Sequence, residues 1–423
     1  MKNCYLIYFC MAVGILLFSA CKQNEVSPDN KPNVRALRTN ETQTVKNSTD
    51  FAFNVFHKLN EIQPADKNQF ISPFSIAMAV AMTYNGANTT TKDGIKKALS
   101  MQGLTDEEQN SAFQSIAAYL NGIDKTVTFS PANSIWYKKD LTPQTNFVEA
   151  NQKYFDAEVR GLDLIKDKEG SKNTINNWVK NKTNGKIDRI IENISDDQVM
   201  FLINAIYFKG TWAYKFDKNK TQEDDFYLEN GSTVRKEFMR GNATVGVYTD
   251  ADKVLIDLPY GNKQFTMTLI MPNSNKSIES LLKQLTSENF ANWLAKSDTT
   301  TIDIKLPKFK FEGNYIKQEF NTVLANLGMG EAFSDYADFS NLLVGFTKGD
   351  LKINEVAHKT FVQVDETGTE AAAVTSIGMV ETTSSIPRIW TVNRPFIYII
   401  REKSSGAILF IGKVMNPTIE KYQ

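Results

Sequence analysis

The chain has 423 residues, 42% of them hydrophobic and 23% charged, which is enough apolar material for a large core in one big domain or in two to three smaller ones. Lys plus Arg equals Asp plus Glu at 48 each, so no global field draws in nucleic acid or an acidic substrate. No Lys/Arg run is long enough to serve as a phosphate-binding arm.

Residues 1–20 have the pattern of a signal peptide. Lys2 gives a positive start, Tyr5 to Phe18 is an apolar run, and Ser19-Ala20 end it before Cys21. The run is shorter than the roughly 20 apolar residues that a bilayer span needs. Small residues directly before a cysteine resemble the bacterial lipobox, in which that cysteine is acylated and becomes the mature N-terminus. Phe18 stands where leucine is more usual, and plain secretion with cleavage near Ala20 is the alternative. The only cysteines are Cys4, Cys10 and Cys21, so the exported part carries no disulfide and no cysteine metal site. Residues 21–45 are polar and lack apolar periodicity, as expected of a lipidated, flexible tether holding a domain off the outer membrane or cell surface.

From residue 46 onward a folded domain is expected. Ser48-Thr49-Asp50 offer helix caps ahead of Phe51, Val55, Phe56, Leu59 and Ile62 at helical spacing. Ser72-Pro73 open a second helix whose run from Ile76 to Met82 is apolar on nearly every face and therefore buried. Thr105 and Glu108 form a capping box, and residues 147–155 and 172–184 are predicted helical, the latter stopped by Asn184-Gly185. Strand signals dominate afterwards. Val199 to Phe208 is a continuous apolar run, as in a central strand covered on both faces. Asn230-Gly231 mark a hairpin, Phe265 to Met271 and Ile302 to Leu306 alternate, and Phe396 to Ile400 pair with Ala407 to Ile411. Helices weighted to the first half and strands to the second give an α+β class.

Enzyme readings are weak, and the chain is not expected to be an enzyme. His57 and His358 are the only histidines, and both are expected to be structural. No zinc-binding His-Glu-x-x-His motif or nucleophile elbow occurs, so no metal or cofactor is expected. Ser280-Leu281-Leu282-Lys283 matches a Ser-x-x-Lys nucleophile motif without its Lys-Thr-Gly partner, and the solvated face of a helix accounts for it.

Residues 364–387 are physically odd. The segment starts as a strand at Val364, passes through small residues, and has neither charge nor proline from Ala371 to Val380. Thr369, Ala371, Ala373, Thr375 and Ile377 share one face of an extended chain. Such a segment is a hazard when exposed because it can add to a sheet, and here that hazard is read as the purpose.

Glu366-Thr367-Gly368-Thr369-Glu370-Ala371-Ala372-Ala373, with Val374 and Thr375, closely resembles the hinge of inhibitory serpins. Asn204 to Trp212 resembles the family's strand leading to the point where the loop enters the sheet, at Trp212. Phe70-Ile71-Ser72-Pro73-Phe74-Ser75-Ile76, Leu258-Pro259-Tyr260, Leu306-Pro307-Lys308-Phe309, Asn393-Arg394-Pro395-Phe396 and Phe410 to Pro417 also fit, in family order from about 46 to 417.

The resemblance implies a serpin domain over 46–423, with a helix-rich N-terminal half packed on three β-sheets and an exposed reactive-centre loop at about 366–392. It implies a monomeric, metastable, extracellular protein that is a suicide substrate for a serine or cysteine protease. After attack on the loop, the freed segment inserts into the main sheet and traps the acyl-enzyme; fourteen residues, Thr369 through Thr382, span ~46 Å at ~3.3 Å each. By family spacing the cut bond joins Thr382 and Thr383, with Glu381 as the alternative bait. Thr382 suits an elastase-like or subtilisin-like protease, and the lack of Arg or Lys shortly before Pro387 disfavours trypsin-like ones. The nearest alternative is a non-inhibitory member acting as a carrier, chaperone or adhesion protein. A glycan-binding surface lipoprotein and a hydrolase are the readings from other classes.

Overall fold

The computed structural model describes residues 31–101, 103–314, 317–354, 356, 358–369 and 389–419. In chain order, helix α1 (Thr39–Ile62) is followed by strand β1 (Gln69–Ile71) and helices α2 (Pro73–Tyr84), α3 (Thr89–Ala98) and α4 (Asp106–Gly122). Then come β2 (Val127–Lys138), α5 (Thr145–Phe155), β3 (Glu158–Leu162) and α6 (Lys168–Lys182). The strand-rich part runs through β4 (Met200–Thr211), β5 (Gln222–Tyr227), β6 (Thr233–Thr249), β7 (Lys253–Pro259), β8 (Phe265–Pro272), β9 (Asp298–Pro307) and β10 (Phe309–Asn314). It closes with β11 (Lys359–Asp365), β12 (Gly368–Thr369), β13 (Ile389–Thr391), β14 (Phe396–Glu402) and β15 (Ile408–Val414).

The start of α1 differs from expectation. The helix begins at Thr39 and not near Ser48, so residues 39–45, expected in the tether, are its first turns. Glu41 is fully buried and reaches back to the Arg38 backbone N–H at 2.7 Å, while the Arg35 and Arg38 guanidinium groups lie 2.7 and 3.0 Å from its oxygens. Burial alone would push this carboxyl up, but the two arginines and Ser115 outweigh it and hold it far below the usual range. This polar capping leaves no apolar period to read.

The other helix starts follow local rules. Ser72 caps α2 with Pro73 in its first turn, and the Thr105–Glu108 capping box opens α4. Helix α6 starts at Lys168, earlier than predicted, because the Asp167 carboxylate accepts the Gly170 N–H at 3.0 Å. Gly231 adopts φ 83° in the β5–β6 hairpin. Strand β8 is buried on both faces, not on alternate residues, and its polar side is covered with partners: Thr268 donates to Asp257 and accepts from Arg401, which pairs with Asp257 at 2.6 Å.

Among the described residues two hydrogen-bonded sheets result. The six-stranded one runs β10-β11-β12-β4-β2-β3, and the nine-stranded one runs β1-β15-β14-β8-β7-β6-β9-β13 with β5 on β6. The third expected sheet is continuous with the second through β6. Its first part pairs with β5, its middle with β9, and only Val247–Thr249 with β7. Helix α2 packs on both β4 and β15, so it lies between the sheets in the main core. Helix α6 covers the opposite face of β2 and β4, where Trp136, Ile175, Val179, Phe201 and Ile203 form a separate smaller core.

Candidate functional site

The hinge is built by a turn that sends the chain from β11 back into the same sheet. The Asp365 carboxylate accepts the Thr367 N–H at 2.9 Å and the Thr367 hydroxyl, closing an Asx turn. Strand β12 then pairs antiparallel on both sides, Thr369 opposite Val364 of β11 and opposite Gly210 of β4. Among the described strands, β12 alone links β4 to β11. Gly368 has φ 153°, and a Cβ there would lie 2.0 Å from the Gly210 carbonyl oxygen, so only glycine fits.

Aromatic and charged groups hold this turn. The Trp212 indole stacks on Tyr260 at 4.5 Å between centroids and 11° between planes. Its Nε1–H donates to the Asp365 carbonyl at 2.9 Å, and its backbone N–H to the Thr367 carbonyl at 3.0 Å. The Tyr260 hydroxyl and Thr369 Oγ1 are 2.6 Å apart and both residues are buried, so Thr369 faces the core. Burial pushes the Tyr260 phenol far up, keeping it protonated. Glu366 accepts from the Thr221 hydroxyl at 2.7 Å and pairs with Lys308 at 3.3 Å, and Lys308 also meets Glu237 at 3.5 Å. Burial raises the Glu366 carboxyl, but Thr221, a backbone N–H and Lys308 together bring it below its ordinary value.

Further along the gap between β4 and β11 lies a cavity of about 290 Å³. Residues Met200–Asn204 line one side, Asn354, Val356 and His358 another, and Ile76, Ala79 and Val80 of α2 its floor. Polar side chains tie its walls together. Ser75 donates to Asn204, whose amide donates to Asn133 at 2.6 Å. His358 Nε2 accepts the Ser72 backbone N–H at 3.1 Å, and burial pushes its pKa down to about 3, so the ring is neutral. The other histidine, His57, hydrogen-bonds the Leu285 carbonyl at 2.7 Å.

The structure therefore brings Glu366, Gly368, Thr369 and Trp212 together. The remaining predicted hinge residues Glu370, Ala371, Ala372, Ala373, Val374 and Thr375 lie outside the described residues, as do Glu381, Thr382, Thr383 and Cys21. Sequence reasoning missed Tyr260, Lys308, Thr221 and Glu237. The segments Leu258-Pro259-Tyr260 and Leu306-Pro307-Lys308 were the available signal for two of them, but neither motif states its partner. Ser280 and Lys283 do not form a nucleophile pair: Ser280 donates to the Ser277 carbonyl at 2.7 Å, and Lys283 pairs with Glu279 at 2.7 Å. Among the described residues no cluster of His, Cys, Asp and Glu could hold a metal, and no helix is long and apolar enough to cross a membrane.

The site thus combines a two-residue strand held between β4 and β11 with a cavity bordered by residues further along the same two chain segments. The family model for serpins (serine protease inhibitors) matches residues 46–417, and the chain belongs to that family. It is similar to the leukocyte elastase inhibitor of Bos taurus, 34% identical over 381 residues and spanning 88% of this chain and 98% of that one. It is 32% identical over 420 residues to an uncharacterized serpin-like protein of Methanosarcina mazei, spanning 95% of each. Among solved structures, the native state of the thermophilic serpin tengpin matches with a TM-score of 0.78 and 34% identity, covering 91% of this chain and 97% of that one. Human thyroxine-binding globulin matches with a TM-score of 0.80 and 28% identity, covering 90% and 100%.

Proposed function

We propose that this chain is an irreversible, single-use protease inhibitor that traps its target by inserting the cleaved loop into the six-stranded sheet. The observation that carries the reading is the register of β12. Each step forward along the loop is a step back along both neighbours. Continued, the ladder would bring Thr375, Ile377 and Met379 opposite Asn204, Leu202 and Met200 of β4. On the other side the same three would face His358, Val356 and Asn354. These six partners all line the cavity. Thr369 faces inward, so by alternation Ala371, Ala373, Thr375 and Ile377 would follow it beneath the sheet, and Glu370 would face out.

The chemistry belongs to the protease. Its serine or cysteine attacks the carbonyl of Thr382, the peptide bond to Thr383 breaks, and the amine of Thr383 leaves with the C-terminal part. The acyl bond persists while the freed loop enters the gap, because insertion carries the tethered protease away and distorts its site. Small uncharged residues from Ala371 to Ala373 make that passage fast, and charge or bulk would let hydrolysis win. Thr382 favours an elastase-like or subtilisin-like target, whereas Glu381 as bait would call for an acid-specific one. A lipid on Cys21 would hold the inhibitor at a membrane surface, where it meets proteases from outside the cell. The likeness to thyroxine-binding globulin supports a second reading, a carrier that uses the same fold without inhibiting.

The test incubates the chain from Lys22 onward with elastase-like, subtilisin-like, trypsin-like, papain-like and Glu-specific proteases, followed by denaturing gels and mass spectrometry. A band near the summed mass that survives boiling in detergent is expected, and the released peptide identifies the bait. Thr369→Arg should abolish that band and leave cleavage intact. Cleavage without a stable band for every protease would sink the inhibitory reading in favour of the carrier.

A further inference from the structure

The six-stranded sheet ends at β10, so the side of β10 turned away from β11 is an edge. The strand is firmly placed. Phe309 and Phe311 are buried, their rings stack at 5.8 Å between centroids, and Phe311 meets Phe70 edge-on at 6.3 Å. An edge of this kind presents a row of backbone N–H and C=O groups with which another extended segment can pair. The chain itself returns to it. Beyond β15, the Lys310 N–H donates to the Thr418 carbonyl at 2.7 Å, and Lys310 and Ile419 form a parallel bridge. Glu420, Lys421, Tyr422 and Gln423 come next and lie outside the described residues.

We propose that residues 420–423 continue this bridge as an added parallel strand that covers the edge of β10. The register of Lys310 with Ile419 brings Phe311, Glu312, Gly313 and Asn314 opposite Glu420, Lys421, Tyr422 and Gln423 in turn. The Lys310 N–H points away from β11, so alternation turns those of Glu312 and Asn314 the same way and those of Phe311 and Gly313 toward β11. The carbonyls of Glu420 and Tyr422 then accept from Glu312 and Asn314, and the Tyr422 N–H donates back to the Glu312 carbonyl. The side chains agree with this register. Lys310 and Glu312 are half-buried on the outer face, with buried Phe311 between them on the inner one, and Ile419 beside Lys310 is exposed. Lys421 therefore falls on the outer face beside Glu312, an opposite-charge pair. Tyr422 falls on the inner face beside Gly313, which has no side chain to obstruct it. The added strand guards the sheet. The segment Ala371 to Val380 is uncharged and of the kind that adds to sheets, and an uncovered β10 would offer that segment of a second copy a place to pair. Residues 420–423 are held next to the edge by the same chain and occupy it first.

The experiment compares the chain from Lys22 to Gln423 with one ending after Ile419, which keeps the bridge to Lys310, by hydrogen exchange resolved to single residues. Without residues 420–423 the Glu312 and Asn314 N–H groups should exchange about fivefold faster or more, while Phe311 and Gly313 stay protected by β11. Proline reads the register. Tyr422→Pro removes the N–H that bonds the Glu312 carbonyl and should weaken protection at Asn314, whereas Lys421→Pro removes one that points away from β10 and should leave it. The shortened chain should also form oligomers severalfold faster on warming, followed by size-exclusion chromatography. Equal exchange at Glu312 and Asn314 with and without residues 420–423, or equal loss in the two proline variants, would overturn the added strand. Lost protection without faster association would overturn its guarding role. None of these readouts requires a trapped protease or an inserted loop, so the inhibitory reading stands or falls separately.

Discussion

At the hinge end of the gap between β4 and β11, every group has a fixed partner. Strand β12 satisfies both neighbours, Trp212 and Tyr260 stack beneath it, and Glu366 is held by Lys308 and Thr221. At the far end the same two chain segments flank a cavity, and the walls are joined by Ser75, Asn204, Asn133 and His358. A void has no atoms on one side of its lining, so the far end forgoes dispersion contacts that a strand would supply. The difference suggests a division of labour. On the inhibitory reading proposed above, the hinge end would fix the register in which a strand starts, and filling the far end would supply part of the free energy that draws the rest of it in.

The largest expected effect fills the far end. Cleavage of the loop between Glu381 and Thr383 should raise the thermal transition by tens of degrees in calorimetry, because the inserted segment occupies the cavity and completes the sheet. A cut form melting with the intact protein would mean that the two ends are not parts of one device. Next, Glu366→Lys removes the partner of Lys308 at the hinge end and adds a like charge. Breaking a buried ion pair costs about 3–5 kcal/mol, so native stability in denaturant titration should fall by about that much. An effect below about 1 kcal/mol would show that the stacked aromatics alone hold the hinge.

The far end should respond to acid. His358 is neutral when folded, with its pKa pushed down to about 3 by burial, and it takes up a proton near its ordinary value of 6.5 when unfolded. The unfolded chain therefore binds more protons between those values, so this residue's contribution is fully present above pH 6.5 and is lost as the pH falls. The slope is about 1.4 kcal/mol per pH unit. His358→Gln keeps an acceptor for the Ser72 N–H and should flatten that slope by about this amount between pH 6 and 4. Equal slopes in both proteins would remove His358 from the account. Last, Ala79→Leu places apolar atoms in the cavity from its α2 floor. It should stabilise the uncut protein by about 1 kcal/mol and shift the outcome with protease from trapped complex toward released, cut inhibitor. Stabilisation without that shift would mean that the cavity does not lie on the insertion path.

Much of this was legible in the amino-acid order. The caps at Ser72 and Thr105, the turn at Asn230-Gly231 and the buried run of β4 are local signals, and each produced the element expected. The small-residue segment from Ala371 stands out in the sequence as well, because an uncharged extended segment violates the usual protection of strand edges, but it lies outside the described residues. The first turns of α1 were not visible. Glu41, Thr44 and Asn47 are polar and yet buried, and their burial depends on Arg35, Arg38 and helix α4 and not on any apolar period.

The sequence by itself determined the family, since its motifs rest on residue types within single stretches of chain. Only the tertiary structure decided that Lys308 guards Glu366, that Thr369 meets Tyr260, and that a cavity waits where β12 would continue. These are contacts and voids between segments far apart in sequence. Their energies depend on distances and packing that no local pattern encodes.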